Sequence, residues 1–115
     1  MRAINYLLIT VFLLAGCTSV FGQDYSKKSV KELLTLAEQN DAEAQHQLGK
    51  MYSFGMGVPK NYVLAYKWWN LSAAQGDKNA AEARDKLAKR MTPSQIAEAQ
   101  KLSRNFKPKK ENPKK

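Results

Sequence analysis

An all-α domain of about five helices is predicted by three features of this 115-residue sequence. Between Ser29 and Phe106 there is little β-branched alternation, while Ala, Leu, Gln, Lys and Glu, which favour helix, are abundant. Apolar residues in the same stretch recur at spacings of three and four. Capping residues, glycines and prolines divide it into short helical lengths. Cys17 is the sole cysteine, so no intramolecular disulfide and no thiolate metal cluster can form. Packing must hold the fold.

The first helix is predicted to begin at Ser29, whose hydroxyl faces free amide groups while Glu32, three residues on, completes a capping box. Val30, Leu33, Leu34 and Ala37 form its apolar stripe. Asn40-Asp41 breaks that pattern and offers a cap to a second helix, which carries Ala44, Leu48, Met51 and Tyr52 on one face. A third helix runs from the cap Asn61 through Tyr62, Ala65, Trp68, Trp69, Ser72 and Ala73, and Gly76 ends it. Asp77 or Asn79 starts a fourth, carrying Ala80, Ala83, Leu87 and Ala88. Thr92, Pro93 and Gln95 are cap, first-turn proline and reciprocal cap of a fifth, with Ile96, Ala99 and Leu102 expected on its buried face.

Between the second and third helices lies Gly55-Met-Gly-Val-Pro-Lys60. A dinucleotide loop follows a buried strand and needs a third glycine, and a nucleotide-triphosphate loop needs Gly-Lys-Ser or Gly-Lys-Thr. Neither condition is met. Gly55 and Gly57 are better explained as structural turn residues with φ above zero at a tight helix exit, with Val58 packed under the turn and Pro59 stopping the helix.

Residues 41 to 76 together resemble the Sel-one-like repeat, a relative of the tetratricopeptide repeat built from two antiparallel helices. The resemblance rests on Ala44, Leu48-Gly49, Tyr52, Gly55-x-Gly57-Val58, Tyr62, Ala65, Trp68, Ser72-Ala73 and Gly76. It implies a short solenoid and scaffolding or adaptor work by binding proteins rather than by catalysis. Asp77 stands 36 residues after Asp41 and begins a second unit, but Arg84-Asp85 replaces Leu-Gly and no second Gly-x-Gly loop follows. Residues 77–106 are therefore read as a degenerate repeat or C-terminal capping hairpin, and residues 29–40 as the N-terminal capping helix. A single repeat cannot bury its own face, so both caps are required.

The two chain ends read differently from this core. Arg2, the apolar run Tyr6 to Leu14 and the small residues Ala15 and Gly16 have the pattern of an export signal over residues 1–16. The run falls short of the roughly 20 apolar residues of a spanning helix. Leu14-Ala15-Gly16-Cys17 resembles the bacterial lipoprotein box, which implies lipidation of Cys17 as the new first residue. Thr18, standing where an aspartate would favour inner-membrane retention, implies an outer-membrane anchor facing the periplasm, with residues 17–28 as linker. The competing cleavage, after Gly22, would release a soluble periplasmic or secreted protein starting at Gln23. At the other end, residues 107–115 carry five lysines against Glu111, and are expected to be a disordered basic tail. The tail supplies much of the net charge of +9; residues 24–106 hold 13 basic and 9 acidic residues. Nucleic-acid binding would rest on the tail alone and is not expected.

No acid–base constellation stands out, and no cofactor or metal is expected. His46 is the sole histidine, placed on an exposed helix face, and Ser72 is read as a small packing residue. Glu82 and Asp85 sit among Arg84, Lys86 and Lys89, as on a solvated salt-bridged face. Asn70-Leu-Ser72 matches a glycosylation sequon but falls inside a helix. The aromatic group Tyr62, Tyr66, Trp68 and Trp69 cannot all face one way. Trp68, in line with Ala65 and Ser72, is assigned to the core, whereas Tyr66 and Trp69 are the candidates for display toward a groove as contacts for an envelope protein or peptide, the alternative being that all four are core or half-buried packing in a small domain. Lys50 and Lys67 would supply charge at the groove's rim. The competing functions are an enzyme or binder acting on β-lactams or cell-wall fragments, whose resembled members rely on disulfides this chain cannot form, and an immunity-type inhibitor.

Overall fold

The structure, a computed structural model, describes residues 24–110. The export signal, Cys17, the cleavage after Gly22 and residues 111–115 of the tail lie outside the described residues. After a 3-10 turn at Tyr25–Lys27 come five α-helices: α1 (Val30–Glu38), α2 (Ala42–Phe54), α3 (Tyr62–Ala74), α4 (Lys78–Ala88) and α5 (Pro93–Arg104). The all-α architecture is the expected one.

Each helix starts where its sequence offers an oxygen to free amides. Ser29 and Thr92 form full capping boxes with Glu32 and Gln95, and Pro93 opens α5. Asp41, Asn61 and Asp77 cap α2, α3 and α4 by accepting from the amides of Ala44, Leu64 and Ala80. Helix exits are equally local. Gly55 (φ 71°) ends α2 in the left-handed region, and Gly57 (φ 75°) turns the loop toward Pro59. A left-handed φ at either position would strain most residues with a Cβ, asparagine and aspartate least.

The repeat period extends further than residues 41–77. Asn40 (φ 72°) and Gly76 (φ 100°), 36 residues apart, both take the left-handed turn that separates one helix from the next. The amides of Asn40 and Asp41 bond to the carbonyls of Ala37 and Leu36, and those of Gly76 and Asp77 bond to Ala73 and Ser72. Helix α1 therefore occupies the register of the second half of α3, as the closing helix of a truncated unit. Its outward residues Lys31, Glu32 and Thr35 are exposed and polar, as befits an end of a stack.

Helix α3 is the centre of the molecule, packed against α2, α4 and α5, and it feeds two core clusters. On one side Trp68 joins Leu33, Ala37, Ala44 and Leu48; on the other Ala65, Tyr66 and Trp69 join Ala80, Leu87, Met91 and Ala99. Close approach of α2 to α3 depends on Gly49, where a Cβ would lie 2.4 Å from Trp69 Cδ1. Two further placements differ from expectation. Leu102 is exposed, because α5 turns Ile96, Ala99 and Ser103 inward, with the Ser103 hydroxyl donating to Ala99 O at 3.0 Å. The start of the basic tail is not simply solvated: Phe106 packs edge-on against Trp68 with ring centroids 5.9 Å apart, and Lys109 bonds Glu38 through both its amide and its ammonium.

Candidate docking groove

Tyr66 and Trp69, expected on display, are buried, at 7% and 5% exposure. The physical reason lies in α3 itself: Lys67 is its sole charged residue, and a helix apolar on all sides is covered on all sides. The adjacent tryptophans do point apart, but α4 and α5 cover the second face. Both buried rings satisfy their polar tips. Trp69 Nε1 donates to His46 O at 3.1 Å, and Gln100 Nε2 donates to the Tyr66 hydroxyl at 3.4 Å. Trp69 and Tyr66 are core residues rather than projecting anchors.

Lys67 is also reassigned. Its ammonium lies 4.1 Å above the Trp68 ring and 5.9 Å from that of Phe106, so its charge is spent on the N-terminal cluster. Burial pushes its pKa below the ordinary lysine value, with Glu38 acting in the opposite direction. Lys50 is exposed on α2, as expected of a rim residue. Its equivalent one repeat later is Lys86.

His46 is not free on an exposed face. Its Nδ1 lies 2.8 Å from Asp77 Oδ2, and the same oxygen accepts from Ser72 Oγ at 2.9 Å. Ser72 Oγ also lies 2.8 Å from Ala42 O. A serine, an aspartate and a histidine thus meet, but the carboxylate stands between the other two. A nucleophilic triad needs the imidazole against the hydroxyl, so this wiring leaves the serine unactivated. Its effect is to pin the start of α2, the end of α3 and the start of α4 together. Burial opposes ionisation of Asp77, but the bonds from the Ala80 amide, Ser72 and His46 outweigh it and hold its pKa below the ordinary carboxylate value.

A second polar knot lies one turn away. The Gln45 side chain is fully buried, donates to Ala37 O and Asn40 Oδ1, and accepts from Gln75 Nε2 at 2.9 Å. The helical stripe gave no hint of Gln45. Arg84 bonds Asn70 Oδ1 at 2.9 Å and pairs with Asp85 at 3.0 Å, which fits the salt-bridged face and occupies the sequon asparagine. Among the described residues no group of three His, Cys, Asp or Glu side chains converges as a metal site would require.

A groove of about 440 Å³ lies between the last turns of α2 and α4. Ser53 and Phe54 form one wall; Ala83, Lys86 and Leu87 form the other; Lys89 and Arg90 close one end, and the edge of Trp69 is the floor. Trp69 thus contributes to a groove, as its base. Phe54 is 67% exposed, the most exposed of the large apolar side chains among the described residues, and Met56 beside it is 49% exposed. Among the described residues, ion pairs join Lys27 to Asp24, His46 to Asp77, Arg84 to Asp85 and Lys109 to Glu38. None involves Lys86, Lys89 or Arg90. Arg90 reaches the Tyr62 hydroxyl, which Lys60 also approaches; Lys60 first and Arg90 second pull the phenol pKa below its ordinary value. Sequence reading missed Phe54 and Arg90 because both fall at helix ends, outside any apolar stripe. Their signal was the 36-residue spacing, which puts them at equivalent positions.

The helical hairpins, the left-handed turns 36 residues apart and the shared aspartate caps define a helical-repeat protein. The family model described as Sel1 repeat matches residues 42–77. Residues 42–77 thus form a Sel1 repeat, and such repeats generally mediate protein–protein interaction. It is also similar to the alginate biosynthesis protein AlgK of Pseudomonas syringae pv. tomato (strain ATCC BAA-871 / DC3000), 32% identical over 81 residues. That stretch covers 70% of this chain but 17% of the relative, so the match spans a small part of that protein.

Proposed function

We propose that this protein is a non-catalytic docking module, held in the bacterial envelope by a lipidated Cys17, which binds a partner protein in an envelope assembly. The observation that carries this reading is the groove between α2 and α4: a rigid apolar floor, an exposed phenylalanine and cations with no carboxylate partner among the described residues, on a fold whose repeats serve protein contact. The one meeting of serine, histidine and aspartate holds helices together and favours no reaction. Attachment is assigned to a lipid on Cys17 because Leu14-Ala15-Gly16-Cys17 follows an apolar run as a lipoprotein box does. Similarity to a protein of alginate biosynthesis favours a partner among proteins of polysaccharide biosynthesis.

Photo-crosslinking from Ser53, Phe54 and Lys86 in living cells, with mass spectrometry of the mature amino terminus, tests both parts. The expected result is one stoichiometric crosslinked protein and a diacylated or triacylated Cys17. A mature chain starting at Gln23 overturns the anchor; absence of any crosslinked protein overturns the docking role.

A further inference from the structure

We infer that the groove between α2 and α4 takes an acidic peptide segment of its partner, one apolar side chain seated against Phe54 and Leu87 above Trp69 and flanking carboxylates paired with Lys86, Lys89 and Arg90. This inference rests on the docking role proposed above and adds the chemistry of what is docked. Three observations carry it. The floor and walls are apolar at Trp69, Ala83 and Leu87, which suits a side chain rather than a sugar hydroxyl. Phe54 stands 67% exposed at the lip, where solvent gains nothing from it. Lys86, Lys89 and Arg90 have no carboxylate within ion-pairing distance among the described residues, so their charge is available to a partner.

The cations do not repel the approach of an apolar anchor, because they ring one wall and one end while Phe54 forms the other wall. An acidic segment is steered to the rim by charge and held by burial at the centre. Lys60 and Tyr62 lie next to Arg90 and extend the positive band beyond the groove, which favours more than one carboxylate along the segment. A bare polyanion, such as a polyuronate chain or an anionic vesicle, would use the band but leave Phe54 and the floor uncovered. The apolar floor decides for a peptide.

The test is selection of a random twelve-residue peptide library on the full chain, followed by affinity measurement of the selected peptides. The expected outcome is enrichment of Asp and Glu around one apolar residue. Affinity should fall about tenfold or more for Phe54→Ala and for the pair Lys86→Glu and Arg90→Glu, with Phe54→Trp retaining it. It should also weaken as salt rises. Phe54 is exposed, so Phe54→Ala keeps the fold and its melting temperature serves as the control. Selected peptides without acidic enrichment, or unaffected by these variants, overturn the groove assignment and leave the docking role standing. If no peptide is selected and the crosslinking above also captures nothing, both readings fall. If oligouronate or anionic vesicles bind the chain and Phe54→Ala equally well, and no peptide does, the surface is a polyanion site and the peptide proposal is wrong.

Discussion

At Gly49 the missing side chain is the space that an indole fills. A Cβ there would sit 2.4 Å from Trp69 Cδ1 and 2.5 Å from Nε1, and moving the indole away would break its hydrogen bond to His46 O. Gly49→Ala should therefore destabilise the domain by about 1–3 kcal/mol through overpacking, despite alanine being the better helix former. Urea unfolding followed by circular dichroism measures this; a neutral or stabilising outcome would show that α2 and α3 separate without cost. Asp77 is the second residue with a calculable consequence. Its folded-state pKa is depressed, so its bonds stabilise the domain fully above the unfolded-state value of about 3.9, and that stability is lost as pH falls through the lower folded value. The native protein should lose stability below about pH 4. Asp77→Asn keeps a capping oxygen but loses the charge that accepts from Ser72 and His46; it should lose about 1 kcal/mol at neutral pH and show a flatter acid limb. Thermal unfolding between pH 3 and 7 compares the two curves; parallel curves would remove Asp77 from the acid response.

Among the elements, the α2–α3 loop depends most directly on backbone conformation. Gly57→Val places a branched residue at φ 75°, against Val30 Cγ2 at 3.5 Å and Met51 Cε at 3.6 Å, and should cost about 1–3 kcal/mol from the backbone alone. A lowered melting temperature is the readout, and an unchanged one would show that the loop tolerates another path. Elements were also the scale most legible in the sequence. Ser29, Asp41, Asn61, Asp77 and Thr92 are short-range signals, each acting on an amide two or three residues away, so a single sequence contains both partners. The candidate site was less legible, because it depends on what lies across the fold. The side chains of Trp68 and Trp69 differ by one step around α3, and only the positions of α1, α2, α4 and α5 decide that both are buried. The same holds for His46, whose partner Asp77 lies 31 residues away. A closer clue was present within α3: a helix with Lys67 as its sole charge leaves no wet face on which to display an anchor.

At the scale of the molecule, the two core clusters share α3, their other buried members come from different helices, Tyr52 of α2 packs against both, and the C-terminal segment returns to the N-terminal one. Phe106 covers Trp68, Lys67 lies over both rings, and Lys109 reaches Glu38 at the end of α1. Phe106→Ala should cost about 1–3 kcal/mol from the lost ring contact and lost burial. It should loosen the Leu33 cluster more than the Leu87 cluster. Comparing Trp68→Phe and Trp69→Phe backgrounds by tryptophan fluorescence separates the two; equal changes in both would show that the segment does not act locally.

That returning segment changes how the stack should come apart. In a linear array each unit touches only its neighbours, so the terminal units open first and exchange their amide hydrogens fastest. Here the last described residues are fastened to the first helix, and opening of α1 must release Phe106 and Lys109 as well. Amides of α1 should then exchange nearly as slowly as those of α3, giving a level protection profile in place of one that declines toward the N-terminal end. In a chain truncated after Asn105, α1 should exchange first, and the ordinary fraying of an open-ended stack should return.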